Sequence, residues 1–185
     1  MKLEGFYGHE HEPQNPWGFV FTDWGEPLEL AGNNSSIIYP VPGLVPNRRS
    51  ERPTLIWPTG GGRKMSGGEI VGTAHFPPEW QGALVVGGYI NNAVWAMNIH
   101  DDGAGFRLTD REPMLRSRSR SFRPVDVKFG PDGALYVCDW FNPIIGHYQA
   151  SFRHPDRDKV HGRIWRITAK NRPLTQTPKL SDADV

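Results

Sequence analysis

Short apolar runs recur along this chain, and turn residues separate them at regular intervals. From Ser66 onward the runs are bounded by Gly, Pro, Asn or Asp, as around the strand-like segments that begin at Ala93 and Leu135. Strands every 8–12 residues with turn signals between them are typical of an all-β propeller, sandwich or barrel. Gly and Pro supply 21 and 17 of the 185 residues, and both disfavour long helices. The sequence therefore predicts an all-β fold.

The spacing of the runs also indicates how many repeats the chain holds. Blade repeats of about 40–50 residues fit it, so the chain would hold two to three four-stranded blades with long loops. A propeller closes with at least about four blades, so we expect a partial β-propeller. Residues 1–168 are predicted to form these blades, and residues 169–185 to be a frayed polar tail or linker.

Local patterns predict several elements. An apolar, turn, apolar order predicts a hairpin over Trp17–Leu30, and residues 31–53 are expected to be a long connection. Further strands are predicted over Glu69–Ala74 and Phe106–Leu115, and residues 142–161 as a long loop. Cys138, the only cysteine, lies in an apolar alternating run and is predicted to be a small core residue.

Charge and motif content exclude several classes. The net charge is +1, from 21 basic and 20 acidic side chains, so no global field would draw the chain to nucleic acid or to an anionic membrane. Arg116, Arg118 and Arg120 alternate with serine, and so short a run predicts a solvated loop. The sequence has no apolar run long enough for a signal peptide or a membrane-spanning helix, and no CxxCH for covalent haem. Direct membrane insertion is not expected.

Three motifs resemble one family. FPPEWQGALVVG from Phe76, DVKFGPDGALYV from Asp126 and HGRIWRIT from His161 are similar, in this order and spacing, to the soluble aldose and sorbosone dehydrogenase propellers, which use pyrroloquinoline quinone (PQQ). The insertion from Asp139 to Asp158 and the segment NPWGFVFTDWGE from Asn15 resemble the exported "membrane-bound dehydrogenase" proteins of planctomycete-type bacteria. In those proteins a propeller of this kind is often joined to a c-type haem domain.

The resemblance implies a cofactor and its ligands. PQQ is an anionic tricarboxylate, and the planar fork of arginine pairs with carboxylates through two hydrogen bonds. Arginines of the family lie just before the DV strand, which here offers Arg123 and Arg120, and the GRI strand offers Arg163. The family spacing is tighter than the one found here, and for Arg123 a structural surface arginine is the open alternative. Calcium would help to hold the quinone.

Two histidine-containing segments are candidates for chemistry. A general base that takes a hydroxyl proton must be a histidine or carboxylate near the quinone, and His147 in the long loop is the candidate, with a buried structural histidine as the alternative. His9 and His11 alternate and could share a metal, although further ligands are not evident and a solvated loop is favoured.

The sequence thus predicts part of a PQQ-dependent sugar or alcohol dehydrogenase-like protein that is inactive alone. The intact parent would pass a hydride from a hydroxyl substrate to the quinone, transfer electrons to a haem domain, and reside in the periplasm or outside the cell. The rest of the propeller would come from the same or another chain. The rival interpretation is a non-catalytic propeller scaffold that binds a carbohydrate or a protein.

Overall fold

Strands and turns account for nearly all regular structure in this computed structural model, which describes residues 16–32, 36–39, 54–56, 64–146, 151–179 and 181. Within these ranges the chain forms one short 3₁₀ turn, Pro78–Trp80, and twelve strands. The strands are β1 (Pro16–Phe21), β2 (Pro27–Ala31), β3 (Ser36–Ile38), β4 (Thr54–Ile56), β5 (Gly68–Ile70), β6 (Leu84–Gly88), β7 (Ala93–Asp102), β8 (Gly105–Asp110), β9 (Leu115–Arg116), β10 (Pro124–Phe129), β11 (Leu135–Asp139) and β12 (Arg163–Ile167). The all-β prediction is confirmed. No helix of the described residues is long and apolar enough to cross a membrane.

The strands form three antiparallel sheets in which neighbours along the chain pair with each other. The first sheet has the order β1-β2-β3-β4, the second β5-β6-β7-β8, and the third β10-β11-β12. In the second sheet β9 also pairs with β7, beyond the end of β8. This order arises because two-residue or short turns can join antiparallel neighbours directly, whereas parallel neighbours need long crossovers.

Several predicted boundaries change. The hairpin β1–β2 forms as expected, closed by a turn in which Gly25 has φ +81°. The expected connection over 31–53 contains β3, because its short Ser-Ile-Ile run pairs with β2. The strand predicted over Glu69–Ala74 ends at Ile70, and the one predicted over Phe106–Leu115 is divided into β8 and β9.

The second sheet lies between the other two and buries both of its faces. Along β6, Leu84 and Val86 enter a core shared with the first sheet, whereas Val85 enters a core shared with the third sheet. Strand β7 repeats this alternation, with Trp95 on one side and Val94 on the other. Side chains on a strand point alternately to the two faces, so near-continuous apolar runs mark a sheet covered on both sides.

The sheets converge at their first strands. β5 packs against β1 and β10, and the Gly67 N–H donates to the Val125 carbonyl at 3.1 Å. A Cβ at Gly87 would lie 2.6 Å from the Pro124 carbonyl oxygen, so glycine is required for this close approach of backbones. The sheets pack face to face, and they are nearest to each other at their inner strands and farther apart at their outer strands. This is the arrangement of the blades of a β-propeller. The chain is a partial β-propeller, and the described residues form three of its blades.

One prediction about the third sheet is wrong. Cys138 is exposed, because it points to the outer face of that sheet while Leu135 and Val137 point to the core. Within the predicted tail, the Thr175 N–H donates to the Asp132 carbonyl at 2.9 Å. Ahead of it, the buried His75 ring accepts the Ala169 N–H at Nε2 (2.8 Å) and, since that nitrogen is the acceptor, donates from Nδ1 to the Pro173 carbonyl (2.7 Å).

Candidate functional site

Loops from two blades meet at one end of the sheets, where β6 and β11 finish and β10 and β12 begin. They comprise residues 89–92, 117–123, 140–146 and 151–162, and we call this end the rim. The rim holds Arg120 and Arg123, and Arg163, the third arginine that the sequence indicated, is the first residue of β12 and directly follows a rim loop. Beside it, Tyr89 stacks on Trp17 with ring centroids 5.3 Å apart, which joins the first and second blades at the same end.

Arg123 is buried at the rim and is committed to backbone groups. Its Nε donates to the Asn142 carbonyl at 2.8 Å, and Nη1 donates to the carbonyls of Tyr89 and Ile90 at 3.0 and 3.2 Å. Nη2 donates to the Pro143 carbonyl at 3.3 Å. A guanidinium has five N–H donors, so one remains for any other partner.

The electrostatics of Arg123 agree with this burial. Desolvation lowers the pKa of its guanidinium, the nearby charge of Arg120 lowers it further, and Asp139 opposes both effects. Arg123 thus ties the loop before β10 to the second blade and to the loop after β11. Its surface alternative does not hold, since only 8% of the residue is exposed.

Asp139, the last residue of β11, is the centre of the polar network. Oδ1 accepts the backbone N–H groups of Arg123 and Phe141 at 2.8 and 2.9 Å. Oδ2 accepts Arg163 through both Nε and Nη2 at 2.8 Å, and the Trp165 Nε1–H at 2.9 Å. The carboxylate is fully buried, and these donors offset the loss of water around it.

Arg163 and Arg120 differ from Arg123 in that their side chains reach solvent. The Arg163 side chain is one-third exposed, and its guanidinium lies 4.0 Å from the centroid of the Phe141 ring. It borders an open groove of about 510 Å³, formed with Trp140 and five further residues: Val125, Cys138, Asp139, Gly162 and Ile164. Arg120 is exposed in the loop before β10, as predicted for the solvated loop of alternating arginines.

The long loop contains a second carboxylate with several donors. Asp158 accepts the N–H groups of Val160 and His161 on Oδ1, and its Oδ2 lies 2.8 Å from His161 Nδ1. Arg157 donates to the carbonyls of Ser151 and Gly146 and so folds the loop upon itself. Hydrogen bonds from the backbone of Val160 and His161 lower the pKa of Asp158 to about 2.

Three sequence candidates cannot be compared with this geometry. His147, His9 and His11 all lie outside the described residues. Among the residues that are described, no group of three or more His, Cys, Asp or Glu side chains is arranged to hold a metal ion. Sequence reasoning missed Asp139, although an aspartate that directly ends an alternating strand is a usable signal for a buried acceptor.

Comparisons with known proteins agree with the architecture. A family model described as a domain of unknown function, DUF7133, matches residues 30–171. No curated protein matches the chain. A glucose dehydrogenase structure has a TM-score of 0.59 at 23% identity, covering 84% of this chain and 40% of its own.

Two further structures are similar. A putative oxidoreductase (glucose dehydrogenase) from Thermus thermophilus has a TM-score of 0.51 at 24% identity, with 70% of this chain and 39% of its own covered. A second glucose dehydrogenase has a TM-score of 0.52 at 19% identity, with coverage of 84% and 45%. At these identities the likeness shows a dehydrogenase-like fold, and the chain spans about two fifths of the length of the solved structures that it matches.

Proposed function

This chain belongs to the family described as domain of unknown function DUF7133, and from its fold we propose that it forms part of a PQQ-dependent sugar or alcohol dehydrogenase. The observation that carries the proposal is the rim, where exposed arginines stand at the loop end of blades that match glucose dehydrogenases over 84% of the chain. A bound quinone would supply the hydride acceptor, which no side chain provides.

The donor chemistry of two rim arginines fits a carboxylated cofactor. The exposed part of Arg163 is oriented by Asp139 and by the Phe141 ring, so its remaining N–H groups are presented in a fixed direction. Arg120 is exposed and can swing toward an anion. We assign Arg123 a positioning role, because four of its five donors already bind backbone carbonyls of the 89–92 and 140–146 loops, which fixes its own loop, where Arg120 also lies.

Further blades complete the proposal. The first and third sheets are each covered by the second sheet on one face, and each exposes large apolar side chains on the other: Phe19 and Phe21 in β1, and Ile164 in β12. Each face of the second sheet packs against a neighbouring sheet, and an apolar sheet face requires such a cover. We propose that blades of the same propeller cover them, in a periplasmic or exported protein with calcium at the cofactor and a haem domain as electron acceptor.

One observation favours a second candidate, the non-catalytic scaffold. The buried polar groups of the rim are satisfied within the chain, with Asp139 and Arg123 bonded to each other's loops. A rim that is stable without a ligand is what a carbohydrate- or protein-binding propeller needs, and propellers serve both purposes.

Titration with PQQ and calcium, followed by the absorption spectrum of the quinone, tests the proposal. Arg163→Lys should weaken PQQ binding, because a lysine cannot form two parallel hydrogen bonds to a carboxylate. Arg120→Ala should weaken it as well, because the guanidinium is removed. Arg166→Lys is the matched control. Arg166 lies on β12, as Arg163 does, but at the end of the strand away from the rim, where it pairs with Asp132. Arg123→Ala should lower stability together with affinity.

Equal PQQ affinity in the Arg163 and Arg166 variants would contradict the site. No quinone binding by this chain or by a propeller that contains it, combined with binding of a carbohydrate, would favour the scaffold.

A further inference from the structure

The chain after β12 is bound to the second blade by one buried histidine. His75 lies in the loop between β5 and β6 and is only 1% exposed. Its ring accepts the Ala169 N–H at Nε2 (2.8 Å) and donates from Nδ1 to the Pro173 carbonyl (2.7 Å). Both partners belong to residues 169–175, which we call the tail segment. The ring thus links the second blade to the end of the third, and it does so through backbone groups of the tail segment.

These two hydrogen bonds require a neutral imidazole. A carbonyl oxygen can only accept and an amide N–H can only donate, so Nδ1 must carry the proton and Nε2 the lone pair. Protonation would place a second N–H at Nε2, 2.8 Å from the amide nitrogen of Ala169. Two donors would then face each other in a buried site, and a buried donor without an acceptor is costly. The tail segment can therefore be bound in this way only while His75 is uncharged.

The charged groups of the tail segment oppose a positive charge on His75. Arg172 donates from Nε to the His75 carbonyl at 2.8 Å and from Nη2 to the Ala74 carbonyl at 2.9 Å. Its guanidinium is thus fixed beside the histidine and carries a positive charge of its own. Lys170, two positions earlier, adds a further positive charge at the surface. Like charges repel, so neither group would stabilise an imidazolium.

The turn between β10 and β11 packs on His75 from the third blade and carries a carboxylate. A Cβ at Gly133 in this turn would lie 2.8 Å from the His75 Cβ. The Asp132 carboxylate is paired with Arg166, with Oδ2 and Nη2 2.6 Å apart, and both ring nitrogens of His75 are already bonded to the tail segment. From the histidine's own loop, Phe76 meets the ring edge-on with centroids 5.4 Å apart. Among these described neighbours, none replaces the hydrogen bond that protonation breaks.

The other three histidines that the structure describes do not join two blades. His100 Nε2 lies 2.8 Å from the Thr109 hydroxyl, which can accept from a charged ring or donate to a neutral one. His154 and His161 form hydrogen bonds to groups of their own loop. Among the described histidines, His75 alone combines burial with bonds that cross from one blade to the next.

We propose that His75 is a pH switch that binds the tail segment when it is neutral and releases the segment when it is protonated. In the step, a proton from water bonds to Nε2, the hydrogen bond from Ala169 breaks, and the tail segment separates from the second blade. Arg123 still joins the two blades at the rim, so the change is confined to the opposite end. The switch needs neither the quinone nor the catalysis of the proposed function.

The direction of the pH dependence follows from the proton count. A solvated imidazole takes up a proton near about pH 6.5. The released state holds a proton that the bound state lacks, so binding of the tail segment is at full strength above about pH 6.5 and weakens as the pH falls below it. Acid therefore releases the tail segment, and return to neutral pH restores it.

Residue-resolved hydrogen exchange of the full chain between about pH 8 and about pH 5 tests the switch. The protection factor of the Ala169 amide should fall about tenfold per pH unit below about pH 6.5, which is the slope for a single linked proton. The amides of Val85 and Val94, in the core between the second and third blades, should stay protected. A constant protection factor at Ala169 overturns the switch. An equal fall at all three amides shows unfolding of the whole chain and overturns it as well.

Two variants identify the group that takes up the proton. Glutamine is not protonated in this range, so His75→Gln should make the Ala169 protection factor independent of pH, whatever its level. His100→Gln is the matched control and should keep the tenfold slope, because His100 bonds to Thr109 within the second sheet. The same slope in His75→Gln overturns the switch, since another group must then bind the proton. Loss of the slope in His100→Gln overturns it too.

Ring ¹⁵N chemical shifts of the unaltered chain give a measurement that needs no variant to fold. At about pH 8 they should show the proton of the His75 ring on Nδ1 and none on Nε2. Protonation of Nε2 should coincide with the loss of protection at Ala169. A proton on Nε2 at about pH 8, or a ring that becomes charged while Ala169 stays protected, overturns the switch.

Discussion

Removing the carboxylate of Asp139 should destabilise the protein far more than removing a similar carboxylate elsewhere in the same sheet. Asp139→Ala deletes the acceptor of two backbone N–H groups, of the indole of Trp165 and of the Arg163 guanidinium. Asp132→Ala also breaks an aspartate–arginine pair, which joins the turn before β11 to Arg166 of β12 in the same sheet. The Asp139 side chain is fully buried, whereas that of Asp132 is 19% exposed.

The magnitude follows from what each donor loses. A buried donor left without a partner costs about 1–3 kcal/mol, and two backbone N–H groups are left so in Asp139→Ala. Arg163 and Trp165 are partly exposed, so water replaces much of what they lose. The two backbone N–H groups together give about 2–6 kcal/mol, and we expect a loss in this range. Arg166 is exposed enough to be solvated, so Asp132→Ala should cost much less.

Urea unfolding of both variants, followed by tryptophan fluorescence, measures the difference. We expect a large fall in the midpoint for Asp139→Ala at an unchanged m-value, and a small one for Asp132→Ala. Asp139→Asn, which keeps one oxygen acceptor, should lie between them. Equal losses of unfolding free energy in the two alanine variants would refute the argument that burial makes the Asp139 network stabilising.

Three further outcomes are expected. Gly87→Ala should destabilise by about 1–3 kcal/mol through overpacking, because its Cβ would meet a backbone carbonyl at 2.6 Å, whereas Gly72→Ala, with nothing within 4 Å, should be neutral or stabilising by thermal melting. The depressed pKa of Asp158 means that its contribution is present above the unfolded value and is lost as pH falls toward about 2, so the hydrogen-exchange protection factors of the amides over 157–161 should fall in that range and stay constant between pH 5 and 8. Cys138 should react fully with a thiol reagent in the native state, and protection without denaturant would contradict its exposure.

Sequence patterns could predict the strands because alternation and turn chemistry are local. The hairpin at β1–β2 and the Gly130–Ala134 turn between β10 and β11 follow from residues within a few positions of each other. The alternation in β11 also identified two faces, but it could not decide which face a third element covers. The apolar alternation therefore predicts Cys138 in the core, whereas the residue lies on the open face.

The rim depends on long-range contacts, which local patterns do not contain. Arg123 and Asp139 are sixteen positions apart and meet only after β10 and β11 have paired. The tail from Ala169 to Thr175 is polar, and polar segments are expected to be solvated. The ring of His75, from a loop distant in sequence, nevertheless binds backbone groups of this tail. Side chains that bond to backbone groups leave no pattern of charge or hydropathy in either segment.

The seam between the second and third blades is clamped at both of its ends. Arg123 crosses it at the rim to the carbonyls of Tyr89 and Ile90, and His75 crosses it at the opposite end to the segment after β12. Two clamps at opposite ends of one seam prevent the blades from opening about either end as a hinge. Ligand binding at the rim would therefore move these two blades as one rigid body. The displacement would occur at their outer faces, where the neighbouring blades are proposed to pack.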